Sequence, residues 1–442
     1  MQTVYLSQQA NLNDALLNIK NFLHKAIINE SLSIMQPISL LDDKDYYTCK
    51  TSLLRFFYQN KDNSFRCLGI GEAHSINKNS YAEALDSLIF YKDFLSNHQI
   101  YFGGMRFDEN SNVSLEWKDF LTARFVLPLV MLAKINNTYF LQINYAFFGN
   151  YNKPTWLDTV YSILDLFSTI NSNDNFSIIH EYPTNKNYYN LIVQKALKSF
   201  NEKNQKVVLG RKTSFVINDN INSLWFIQKL MSLNENLYIF LFDLGNNHYF
   251  LGHSPELLFS KKQNHITSEA LAGTITCLTK DEKEILQLFS HKEHCEHKYV
   301  KNWIKDVLTS LNAQVIQSSI EVKKSFNVYH LQQKFAAYVA NINEKDLLLK
   351  LHPTPAVCGF TKEYAQLFIA ENENFDRGYY TGAMGIVSKQ YSEFCVAIRC
   401  GLVVDNILHL YAACGIVQDS CIESEWLELN AKQQALLRLF YS

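Results

Sequence analysis

Two hairpin signals limit the architectures open to this chain. Tyr238–Leu244 and Tyr249–Leu251 flank Gly245-Asn246-Asn247, and Phe394–Val404 and Ile407–Ala412 flank Asp405-Asn406. Glycine, asparagine and aspartate tolerate the left-handed backbone of a tight turn, so each signal predicts two adjacent antiparallel strands. Leu257–Ser260 and His265–Thr267 continue the first meander. Helical spacing lies between such pairs: Leu12, Leu16, Ile19, Phe22 and Leu23; then Val300, Trp303, Ile304, Val307 and Leu308 within Glu293–Leu311; then Glu423–Phe440. Antiparallel strand pairs separated by helices predict an α+β layered fold, sheets inside and helices outside.

Composition narrows the function classes. The 41 Lys and Arg nearly balance 43 Asp and Glu, for a net charge of −2. No global electrostatic attraction to nucleic acid or a membrane surface follows. Nine cysteines, at 49, 67, 277, 295, 358, 395, 400, 414 and 421, form no C-x-x-C pair, which argues against zinc and a disulfide framework. Free thiols point to a reducing, cytoplasmic setting. Met1–Ala10 lacks a basic stretch followed by an apolar core, so no secretory leader is expected, and Phe125–Leu132 is too short to span a bilayer.

The residues that could carry chemistry begin with two carboxylate pairs. Glu293 and Glu296 are spaced i, i+3, as are Glu425 and Glu428, and Lys432 lies four beyond Glu428. Such pairs share a helix face. Four carboxylates brought together would need a cation, and oxygen ligands suit Mg²⁺. On spacing alone, solvated surface faces fit as well. Glu256, in Ser254-Pro255-Glu256, could be a general acid if burial raised its pKa, or could simply cap a turn. Gly273-Thr274 could bring backbone N–H groups to a ligand oxygen, or mark a tight turn. Lys206 opens an apolar strand, where a desolvated amine is a base and an edge lysine deters aggregation. Strand alternation could turn Arg399 toward a carboxylate or onto an exposed face. Glu293–His297 is not His-Glu-x-x-His, and Gly69-Ile70-Gly71 meets His74 where a dinucleotide site needs glycine.

Taken in order, these strings resemble the chorismate-binding enzyme family: isochorismate and salicylate synthases, anthranilate synthase large subunits and aminodeoxychorismate synthases. The resemblance runs from about Phe65 to Tyr441, through Leu68–Gly71, Phe102-Gly103-Gly104, Lys206–Arg211, Ser254–Glu256, Leu271–Thr274, Glu293–His297, His330-Leu331, His352–Ala356, Asp376–Gly382, Ile398-Arg399, Gly415–Val417 and Glu425–Lys432. It implies one large domain of two packed antiparallel sheets with helices outside. Residues 61–442 would be the catalytic part and residues 1–60 a divergent segment of the same domain. It further implies Glu296 and Glu428 as Mg²⁺ ligands, with Glu293 and Glu425 supporting the metal's waters. Arg399, Lys432 and the Gly273-Thr274 backbone would contact chorismate, with His330 and Tyr380 lining the pocket. Lys206 matches the lysine that activates water in isochorismate and salicylate synthases. Ala272 stands where aminodeoxychorismate synthases carry a nucleophilic lysine. The implied reaction is isochorismate synthesis, water attacking C2 while Glu256 protonates the departing C4 hydroxyl. Menaquinone and siderophore routes are both open to the product. A monomer or weak dimer is expected.

One departure stands out. Ala412-Ala413-Cys414-Gly415 replaces the family's Ala-Gly-Ala-Gly; Ala413 stands where the resemblance implies that the backbone approaches the substrate carboxylate, and it would be strained by roughly 1–2 kcal/mol if the position needs a positive φ. Salicylate synthesis, with pyruvate elimination added in the same site, is the alternative. Ammonia-dependent synthesis and a weakly active chorismate-binding homologue are further rivals.

Overall fold

The computed structural model describes residues 2–6, 9–25, 32–39, 53–146, 148, 153–166, 177–218, 222–233, 235–275, 282–325 and 328–441. Cys49, Cys277 and most of the irregular stretch before residue 53 lie outside these residues.

The architecture is organised by one long antiparallel pair, Phe65–Lys78 against Ala123–Ile135. Both strands are buried nearly throughout, and the pairing shifts by one residue between Glu72 and His74. Two arms leave the pair on either side of this bulge. The first runs through Arg55–Gln59, Tyr238–Asp243, His248–Ser254, Cys400–Val404, Ile407–Ile416 and Lys206–Ile217. The second runs through Ile100–Met105, Ala383–Ser388, Tyr391–Val396, Leu257–Lys262, His265–Ile275 and Val328–Tyr338. The two expected sheets are thus arms of one hydrogen-bonded network. Gln2–Tyr5 adds a parallel partner to Leu32–Ile38 at its edge.

The arms pack face to face over an aromatic core. Phe56 and Phe242 of the first arm meet Phe102 of the second at ring separations of 5.6 and 5.8 Å. Buried aromatics of this size dominate the stability of such a layer. Helices cover the outer faces. His291–Ser310 lays Val300, Ile304 and Leu308 into the same core as Ile266, Ala270 and Phe335 of the second arm. Ile422–Leu437 places Leu429 with Leu209 and Ile416 of the first. No helix among the described residues is long and apolar enough to cross a membrane.

Both hairpins form where expected, and Gly245, Asn246, Asn247 and Asp405 hold the positive φ values that their turns require. The expected continuous strand Phe394–Val404 does not form. It breaks into Tyr391–Val396 and Cys400–Val404, which belong to different arms. Arg399, at φ 51°, turns the chain between them.

The segment before residue 60 supplies the inner strand Arg55–Gln59, locked by Arg55 against Asp243 at 2.6 Å with both side chains nearly fully buried. Removing one partner of a buried pair strands the other charge. Asp243→Ala should therefore cost about 3–5 kcal/mol, read as a lower midpoint in urea unfolding; an unmoved midpoint would contradict this.

Candidate active site

The two arms converge on one cleft. Lys206 enters it from the first residue of Lys206–Ile217 and is 1% exposed. Its Nζ lies 3.7 Å from Glu296 Oε2. Burial pushes the lysine pKa below its ordinary value, with Glu296 pulling the other way. Gly415, on the neighbouring strand, makes room for the pair. A Cβ there would stand 2.4 Å from Glu296 Oε2 and 3.0 Å from Lys206 Cε.

Glu256 lies in the short link where the chain crosses from the first arm to the second, between His248–Ser254 and Leu257–Lys262. It is 2% exposed, and Thr354 Oγ1 donates to its Oε1 at 3.5 Å. Burial pushes its pKa up to about 8, against the pull of Lys61 and Lys206. At neutral pH this side chain is therefore a carboxylic acid able to give up a proton.

Gly273 is not in a turn. It forms a bulge inside the long strand His265–Ile275, at φ +73°, where a Cβ would come within 2.8 Å of the Glu293 carbonyl oxygen. Glycine thus lets the start of His291–Ser310 close onto the strand. Beside it, Thr274 Oγ1 and His330 Nδ1 are 3.2 Å apart, and Arg399 Nη2 lies 3.5 Å from His330 Nε2. Burial and the neighbouring Arg399 lower the His330 pKa to about 3. The imidazole is neutral, accepting from Arg399 and donating to Thr274. Tyr380 stacks on Tyr411, ring centres 5.1 Å apart, and both line the cleft.

Ala413 lines the cleft in extended strand geometry, opposite Gly210. It is absent from the positive-φ positions, so the strain expected there does not arise. Its carbonyl accepts a hydrogen bond from Lys432 Nζ at 2.8 Å.

The glutamates divide. Glu296 reaches the cleft wall, while Glu293, Glu425 and Glu428 do not line it. Glu428 pairs with Lys432 at 2.6 Å. Glu425 pairs with Lys292 at 2.6 Å, and Lys292 also lies 3.6 Å from Glu296. Glu293 turns to its own helix end, accepting from Ser290 N at 2.8 Å and Ser290 Oγ at 2.5 Å in a capping box. Burial, then Glu428, pushes Glu425 up to about 7, and burial also raises Glu296. For Glu428, Lys432 and Lys292 outweigh burial and hold the carboxyl below the usual range. Oε2 of Glu425 is buried with no hydrogen-bond donor. Crowded carboxylates with an orphaned oxygen are what a hard, oxygen-seeking dication would relieve, so these residues fit Mg²⁺.

Sequence reasoning missed several participants. Lys292 was the most legible, lying four residues before Glu296 on the same helix face. Thr354 falls inside the His352–Ala356 string without being singled out there, and Tyr411 has no distinguishing spacing.

The chain is similar to known proteins in both sequence and fold. The isochorismate synthase MenF of Haemophilus influenzae is 34% identical over 53% of this chain, a match that spans only 56% of that protein's length. MenF of Bacillus subtilis is 27% identical over 96% of this chain and 95% of its own. The solved structure of MenF, the menaquinone-specific isochorismate synthase from Escherichia coli, shares the fold, with a TM-score of 0.82 at 24% identity over 97% of this chain and 99% of that one. The family model described as chorismate binding enzyme matches residues 16–441, beginning well before the motif strings do. From residue 16 through both walls of the cleft, this chain belongs to the chorismate binding enzyme family.

Proposed function

We propose that this enzyme is a Mg²⁺-dependent isochorismate synthase, an isomerase that adds water at C2 of chorismate and releases the C4 hydroxyl. The observation that carries this reading is the pairing, in one cleft, of a buried lysine of lowered pKa with a buried glutamic acid of raised pKa. Such opposed shifts are how one site runs base and acid chemistry at the same pH.

Lys206, in its neutral form, takes a proton from water. The water oxygen bonds to C2, the ring double bonds shift, and the C4–O bond breaks. Glu256 gives its proton to the departing hydroxyl, so one water enters and one leaves. Arg399, held by neutral His330, offers its guanidinium to a substrate carboxylate. Glu296, Glu425 and Glu428 would hold Mg²⁺, which when bound supplies charge neutralisation for the C1 carboxylate of the substrate. Ala272 brings no amine to the cleft, so no covalent lysine adduct competes with water there.

The test is product analysis. The purified protein is incubated with chorismate and Mg²⁺, with and without ammonium, and with a chelator as control. Isochorismate formed only with the metal is the expected result. Salicylate with pyruvate would move the assignment to the elimination reaction, and an aminated product to ammonia transfer. Absence of any product would overturn the assignment.

A further inference from the structure

Cys414 stands on Ile407–Ile416 between two cleft-lining residues, Ala413 and Gly415. It is fully buried. Its Sγ and one carboxylate oxygen each of Glu425 and Glu428 all lie within 4.8 Å of one another. The thiol donates to the Glu425 carbonyl oxygen at 3.4 Å. Glu425 Oε1 faces Lys292 and Glu428 Oε1 faces Lys432, while Glu425 Oε2 is buried without a donor. A sulfur and two carboxylates from a strand and a helix thus converge on one point, with an unsatisfied oxygen among them.

We infer that Cys414, Glu425 and Glu428 form a second mode of cation binding, taking a thiophilic divalent ion such as Zn²⁺ or Cd²⁺ through one sulfur and two carboxylate oxygens. This rests on the reading of the glutamates as a cation site. Mg²⁺ takes oxygen ligands and gains nothing from a thiol, whereas soft and borderline ions select thiolate. One sulfur and two oxygens make three protein ligands and leave a fourth position open to water. On binding, the S–H proton passes to solvent and a metal–sulfur bond forms, with no change of oxidation state. The Lys292 ammonium gives up Glu425 to the incoming ion. Thiophilic ions therefore compete with Mg²⁺ for Glu425 and Glu428.

The experiment titrates the metal-free, full-length protein with Cd²⁺. It follows the ultraviolet thiolate-to-cadmium charge-transfer band, with calorimetry in parallel. The expected result is a band that saturates at one equivalent, disappears in both Cys414→Ala and Cys414→Ser, and is accompanied there by a loss of affinity of at least about tenfold. Cys414→Ser keeps the side-chain size and a donor for the Glu425 carbonyl oxygen, so it carries the test if the alanine variant does not fold. The band should persist in Cys295→Ser and Cys421→Ser, which remove the partly and fully exposed thiols. A band that follows Cys295 or Cys421, or Cd²⁺ bound without any band, overturns the inference. Mg²⁺ calorimetry on the wild-type protein separates the two readings. Mg²⁺ binding without a cadmium–thiolate band overturns only the role of Cys414, and binding of neither ion overturns the glutamate site itself.

Discussion

Lys206→Ala should lower kcat by a factor of about 10²–10⁴, the usual contribution of a positioned general base. Lys206 is the cleft's amine of lowered pKa; Lys432, by contrast, is raised because Glu428 outweighs its burial. A raised pKa keeps Lys432 protonated and useless as a base, and His330 is engaged on both nitrogens. The companion variant Lys206→Arg decides between base and charge. Arginine keeps the cation beside Glu296 and cannot deprotonate. If Lys206 acts as base, the arginine variant is as slow as the alanine one and KM moves much less than kcat. A Lys206→Arg enzyme with near-normal kcat would show that the position supplies only charge, and would remove the water-activating step from the mechanism.

Turn chemistry made the hairpins legible, because asparagine, aspartate and glycine at 245–247 and 405 are the residues that accept a positive φ. Arg399 accepts the same backbone with no such marker, so the break between Tyr391–Val396 and Cys400–Val404 was invisible and strand alternation could not fix which way Arg399 faces. The long pair Phe65–Lys78 and Ala123–Ile135 was equally hidden. Strands buried on both faces lose the polar–apolar period that betrays a half-exposed strand. At the site, i, i+3 spacing located the glutamates on two helices, since spacing is a local property. Which of them faces the cleft is not local. Glu293 went to its own helix cap, and Cys414 met Glu425 only because a helix packs on the first arm. The Ala413 strain failed for a related reason: a glycine in a family pattern can mark close approach as well as a positive φ.

Glu256→Gln should both slow the enzyme and stabilise it. Glutamine preserves the shape and the acceptor for Thr354 but has no proton to give, so kcat should fall by about 10²–10⁴. The stability change follows from the carboxyl's environment. Its pKa is 4.5 in the ordinary state and about 8 in the fold, burial being the main cause. Between those values the folded protein holds a proton that the unfolded chain has released. Stability therefore declines as pH rises from 4.5, and the loss is complete above about 8. Glutamine carries no such penalty. At pH 7 the variant should be more stable by on the order of 3 kcal/mol, or about 3 °C in Tm for a chain of this size. The difference should vanish near pH 4.5, where both states of the wild-type carboxyl bind the proton. The same titration should cut the wild-type kcat/KM as pH passes about 8, because the acid form is then lost. Thermal unfolding of both proteins across this range is the decisive measurement. Parallel curves, with no gap opening as pH rises, would mean that Glu256 is ionised in the fold at neutral pH and is not the acid of the reaction.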